Sequence, residues 1–286
     1  MGIALGLGAA LSWGLADYVA ALSSRRAGAL RVVLGFHLVA TALLAIAVFG
    51  SGDGISDVSG GNLVWFAFVG ALGWLSYLAF YRALAIGPIS IVSPIVSAYA
   101  AVTVICAVLI SNERLAGGEA IAVAVVLLGV VLASSDLRQV RAIERLAAVG
   151  LVLALATAVL IGSFVYGVAY FSDEYGWLVP IFLARALSTV FILGTAIQAG
   201  EWRFPTQSRT LIGMIAFIAV VDTIGYVAFN FGVRHADTSI VATAAAPYSV
   251  VPIAAGVLFI HERPSRAQWL GIALVIAGLV LLGLVA

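Results

Sequence analysis

Apolar residues run along the chain in blocks of about twenty, and nowhere do they alternate with polar ones as in a half-buried strand. The blocks fall at 2–22, 29–50, 62–86, 89–110, 117–135, 146–170, 177–199, 209–233, 238–260 and 267–285. Each is long enough to cross the hydrocarbon layer as a helix, which takes roughly 20 residues. The pattern predicts an all-α integral membrane protein of ten transmembrane helices and argues against a β-barrel. Polar or turn-forming breaks separate the blocks, among them Ser23-Ser24-Arg25-Arg26, the stretch 51–61, Gly87-Pro88, Ser111-Asn112-Glu113-Arg114 and Ser172-Asp173-Glu174. None exceeds about a dozen residues, too short for an extramembrane domain. The first block has no basic residue ahead of it and outruns a signal h-region, so it reads as a span.

Composition agrees. Hydrophobic residues make up 64% of the chain and charged ones 9%, against about a quarter in soluble domains. A net charge of +1 offers no basic face for nucleic acid. The lone Cys106 can form no internal disulfide, and the histidines at 37, 235 and 261 are too scattered for a metal site. No phosphate-binding loop and no nucleophile with a base emerges, so neither cofactor nor catalytic residue is expected. All 14 basic residues are Arg, and the loops numbered odd hold Arg25, Arg26, Arg82, Arg138, Arg141, Arg145, Arg203, Arg209, Arg263 and Arg266. Even loops hold only Arg114 and Arg234. The positive-inside rule then puts odd loops in the cytoplasm and both termini outside, in a bacterial inner membrane.

The chain also repeats itself. A shift of 149 sets Tyr77 to Phe80 on Tyr226 to Phe229, Ser90 to Val92 on Ser239 to Val241, Tyr99 on Tyr248, Glu113-Arg114 on Glu262-Arg263, and Gly129 on Gly278. Upstream the shift is 148: Gly14 meets Gly162, Tyr18 meets Tyr166, and His37 meets Arg185. Residues 1–135 and 146–286 are thus two five-helix units joined by a linker at 136–145. Five being odd, the second copy enters from the opposite side, and Arg25-Arg26 indeed aligns with Asp173-Glu174. This 5+5 inverted-topology repeat is a secondary-transporter architecture, with its site near the midplane.

Ten spans in two inverted units, each with a Glu-Arg turn (Asn112 to Leu115, His261 to Pro264) before a Gly-containing last helix, resemble the EamA exporters of the drug/metabolite transporter superfamily. The resemblance implies export of metabolites, amino acids among them. Such units often carry an Arg in the second span; Arg185 matches and His37 departs. Termini outside also depart from the cytoplasmic termini expected of many relatives.

Ionisable groups inside spans are costly and face a wet interior. Here they are Asp17, His37, Arg185 and Asp222, with Asp17 and His37 as candidates for a proton or ion-pair role. Asp222, Tyr226 and Asn230 share one helical face, opposite a matching stripe of Gly73, Tyr77 and Tyr81. Tyr99 and Tyr248 lie at corresponding depth. Such a cavity suits a small amphipathic solute, with Asp222 taking an ammonium and Arg185 a carboxylate, as in an amino acid. Pro94, Pro247 and Pro252 mark spans 4 and 9 as the bending elements. Glu113 and Glu262 read as caps of the helices that follow them, or partners of the adjacent Arg. The glycines of spans 5 and 10 suggest a scaffold and a homodimer seam. The expected function is a secondary transporter exporting small metabolites, foremost amino acids, by alternating access. The alternative is a flippase for a lipid-linked sugar or other lipid.

Overall fold

The computed structural model describes residues 1–51, 58–87, 89–134, 145–202, 208–251 and 265–285. Helices account for nearly all of them: α1 (Gly2–Ala27), α2 (Ala29–Ser51), α3 (Gly60–Ile86), α4 (Ile89–Ser97), α5 (Tyr99–Ile110) and α6 (Gly117–Ser134). These are followed by α7 (Arg145–Ala169), the single turn α8 (Ser172–Tyr175), α9 (Val179–Gln198), α10 (Arg209–Val233), α11 (Thr238–Ala245), a 3-10 turn at Ala246–Ser249, and α12 (Arg266–Val285). No strand is present among the described residues. Among the described residues, seven helices are long and apolar enough to cross a membrane, where the hydropathy blocks predicted ten. The shortfall is of three blocks: block five is the shorter apolar helix α6, and the other two have local causes. Block four is broken at Ala98 into α4 and α5, and block nine breaks at the 3-10 turn, beyond which residues 252–264 lie outside the described part. The Glu262-Arg263 turn, Pro252 and most of the 136–145 linker lie there too or are likewise undescribed.

Helix α1 runs past the expected break, carrying Arg25 and Arg26 in its last turn, and stops at Gly28, whose φ of 89° suits glycine. Arg25 then reaches across to the end of α3, donating from Nη2 to the Gly87 carbonyl at 2.8 Å. Ser59 and Ser208 cap α3 and α10, accepting from the amides of Asn62 and Leu211.

The packing comes in matched pairs. Helix α1 lies along α10 and α11, while α7 lies along α3 and α4. Gly14 of α1 sits so close to the Tyr248 carbonyl that a Cβ would come within 2.6 Å of it. Gly162 of α7 meets the Tyr99 carbonyl in the same way, at 2.5 Å. Helices α6 and α12 pack on each other through Gly129 and Gly278, so a dimer through these helices would have to use their opposite faces. Large apolar side chains such as Ile46, Phe49, Leu109 and Leu284 stand on the exterior, as a lipid-facing surface requires.

Glu113 does not cap the helix that follows it. The α6 N-terminus is served by Glu119, which accepts from the Ala116 amide at 2.7 Å. Glu113 instead reaches across the bundle to α11. It accepts from the amides of Thr238 and Ser239, both at 3.0 Å, and from the Ser239 hydroxyl at 2.6 Å. Asn112, in the left-handed region at φ 55°, turns the chain to aim it there. A carboxylate on three donors at a helix N-terminus is a strong clasp. We expect Glu113→Ala to lower the stability of the purified protein by about 2 kcal/mol, read by thermal unfolding in detergent. Glu113→Gln should recover part of that loss.

Candidate functional site

Helices α1, α3, α4, α5, α7 and α10 and the 3-10 turn line a partly open cavity of about 40 Å³ at the middle of the bundle. Of the expected site residues, Tyr77, Tyr99, Asp222, Tyr226 and Tyr248 line it. Trp13 and Asp17 of α1 line it as well, with Phe80 and apolar side chains of α4 and α7. The rings form one wall system. Trp13 packs edge-on to Tyr226 with centroids 4.9 Å apart, and to Tyr99 at 6.1 Å. Tyr99 in turn meets Tyr248 at 5.9 Å. Gly225 makes room for Trp13, since a Cβ there would fall 2.6 Å from the indole nitrogen.

Both helix breaks meet at this cavity. Tyr99 begins α5 just after the break at Ala98, and Tyr248 sits inside the 3-10 turn. The Tyr248 hydroxyl donates to the Ser93 carbonyl at 3.1 Å, and the Ser249 hydroxyl lies 3.3 Å from that of Ser97. The tyrosines are therefore carried by backbone that is already interrupted, the usual build around a transport site.

Asp222 and Arg185, expected to hold the two ends of a solute, hold each other. Arg185 Nη2 donates to Asp222 Oδ2 at 2.6 Å, with both side chains buried. The guanidinium lies over the rings of Tyr226, Tyr77 and Phe36 at 4.8, 5.1 and 5.7 Å. Arg185 is not among the side chains that line the cavity. Tyr77 donates to the Tyr226 hydroxyl at 3.0 Å, so the two repeat-related tyrosines close over this pair. His37 sets its ring edge-on to Tyr77 at 4.6 Å, with Nδ1 bonded to the Val33 carbonyl at 3.1 Å. A carbonyl can only accept, so Nδ1 carries a proton.

Two expected residues turn away. Asn230 donates from Nδ2 to the Tyr226 carbonyl of its own helix at 2.9 Å. Tyr81 is buried and stacks flat on Phe36, with centroids 5.2 Å apart. Asp17, read from the sequence only as a proton or ion-pair candidate, becomes the central polar group. Its Oδ2 is buried and has no hydrogen-bond partner among the described residues. The same is true of Trp13 Nε1 and the Tyr99 hydroxyl. Three buried polar atoms left open on lining residues are what a polar solute entering the cavity would meet.

Trp13 escaped the sequence reading, although one signal pointed to it. It lies four residues before Asp17, on the same face of one helix. The shift of 148 pairs Trp13 with Ile161 and Asp17 with Val165, and all four line the cavity.

An all-helical bundle with a lipid-facing exterior, enclosing a small aromatic cavity with a buried carboxyl, is the build of a multi-pass membrane transporter. The chain belongs to the EamA-like transporter family, in the drug/metabolite transporter superfamily, matching it over residues 1–135 and 148–284. Its members are membrane transporters of the drug and metabolite type rather than enzymes. No curated protein matches the chain. A crystal structure of a protein 17% identical to it aligns with a TM-score of 0.75, over 100% of this chain and 99% of the other. At that identity the likeness is one of fold.

Proposed function

We propose that the protein is a secondary transporter that exports small amphipathic metabolites bearing a protonated amine from a bacterial cytoplasm by alternating access. The observation that carries this reading is the unpartnered Asp17 carboxyl in a cavity walled by Trp13, Tyr99, Tyr226 and Tyr248. A carboxylate and aromatic ring faces together suit an ammonium group, and the rings suit an apolar side chain beside it. Amino acids and their derivatives are the metabolite class of that description. A lipid-linked sugar would bring phosphates, and no cationic side chain lines the cavity among the described residues.

The mechanism we propose uses two inverted five-span halves, 1–135 and 146–286, with both termini outside. Several matched features support it. The pairings α1 with α10 and α7 with α3 exchange under the repeat, as do the Gly14 and Gly162 contacts. The breaks at Ala98 and at Pro247 occupy the same aligned position, and a bend at each lets the halves swap which face is open. The Glu113 clasp ties a loop of the first half to the start of α11 in the second, and it closes one of those faces.

Counterflow of labelled amines and amino acids in proteoliposomes, with no imposed ion gradient, tests the function. Saturable exchange of at least one amine is expected. Linear, unsaturable uptake would indicate a channel, and no uptake under any gradient would refute the transport reading for this class.

A further inference from the structure

Resting on that transport reading, we infer that the ligand of the cavity is a small amine without a free carboxylate. The unpaired charge at the cavity is one-sided, since Asp222 is paired with Arg185 while Asp17 is not paired among the described residues. Asp17 and Asp222 line it, and no Arg or His does among the described residues. Arg185 is fully buried, bonded to Asp222 and covered by the rings of Tyr77 and Tyr226. An amine entering the cavity finds the open Asp17 Oδ2 and several ring faces. A zwitterion entering the same way brings a second carboxylate beside Asp17, while the nearby Arg185, whose Nε and Nη1 have no partner among the described residues, stands behind the Tyr77 and Tyr226 rings and does not line the cavity. Like charges confined in a poorly solvated site repel, and neither is compensated by water. The donors left for the far end of the ligand, Trp13 Nε1 and the Tyr99 hydroxyl, are neutral. They match a carbonyl or hydroxyl oxygen, so an amidated amino acid, with its ammonium on Asp17 and its carbonyl oxygen on these donors, satisfies all three open groups.

The test compares phenylalaninamide with phenylalanine, which differ only in that carboxylate. Equilibrium binding is measured on the purified full-length protein in detergent at about pH 6, where both amines are protonated. Phenylalaninamide should bind at least about tenfold more tightly. Asp17→Asn should erase the preference, and Asp17→Glu should keep most of it. Equal affinities, tighter binding of phenylalanine, or no binding of either at millimolar concentration would each overturn the inference. So would a preference that survives Asp17→Asn in a protein that still elutes as a single species. Because binding needs no transport, an amide that binds but is not exchanged by proteoliposomes would fault the transport reading alone.

Discussion

Replacing Asp17 with Asn is expected to weaken saturable amine exchange severely while leaving the fold in place. Asparagine keeps the size of the side chain and removes its charge, and no protein group depends on Oδ2 for a hydrogen bond among the described residues. The bundle therefore loses no described hydrogen bond at that atom, and thermal unfolding should move by no more than about 1 kcal/mol. The solute loses a charge-assisted bond in a water-poor cavity, a contact of about 1.5–3 kcal/mol. By the usual conversion that weakens binding roughly tenfold to a hundredfold. Val165, at the aligned position of the other half, lines the same cavity and has no carboxyl to substitute for the lost one. Counterflow at a substrate concentration near half-saturation, with melting measured in parallel, separates the two effects. Wild-type exchange by Asp17→Asn would show that the solute is held elsewhere.

The membrane class and most helix boundaries were legible because lipid imposes a length and a polarity on every span. Blocks 29–50 and 209–233 became α2 and α10 within a residue. The prolines marked spans 4 and 9 as the ones that bend, and both are interrupted, but how far each interruption goes was not legible, since proline marks where a helix can yield and not how much it does. Tyr77, Tyr99, Tyr226 and Tyr248 were found because the repeat pairs them and the pairs converge on one cavity. Asp17 and Trp13 were undervalued for the complementary reason: they face apolar partners, Val165 and Ile161, across the repeat, so symmetry alone does not flag them. Whether Asp222 and Arg185 serve a solute or each other depends on how α9 and α10 meet, 37 residues apart in sequence. Periodicity along one helix cannot show that. Glu113 illustrates the same limit, because its three donors belong to a helix more than a hundred residues away.

The ion pair of Arg185 and Asp222 gives the largest stability effect we expect. Replacing Arg185 alone with Met leaves the Asp222 carboxylate buried without its partner and removes the guanidinium from three ring faces. Breaking a buried pair in this way costs about 3–5 kcal/mol, enough to lose most folded protein on extraction from the membrane. Asp222→Leu alone should be as damaging, since it strands the guanidinium. Making both changes removes both charges together and substitutes side chains of comparable bulk. An apolar pair of similar volume commonly matches or exceeds the stability of the ion pair it replaces. Arg185→Met with Asp222→Leu should therefore recover folded yield and melting temperature to near the wild-type level. Fluorescence-detected size exclusion followed by a melting series gives the four corners of the cycle. Additive losses in the double variant would mean that each residue has an independent structural task and that their bond contributes little. A recovered fold with binding of amines intact would confine the pair to holding α9 against α10. A recovered fold that has lost binding would instead make the pair part of the cavity's chemistry, with Arg185 keeping the Asp222 carboxylate charged and fixed beside the solute.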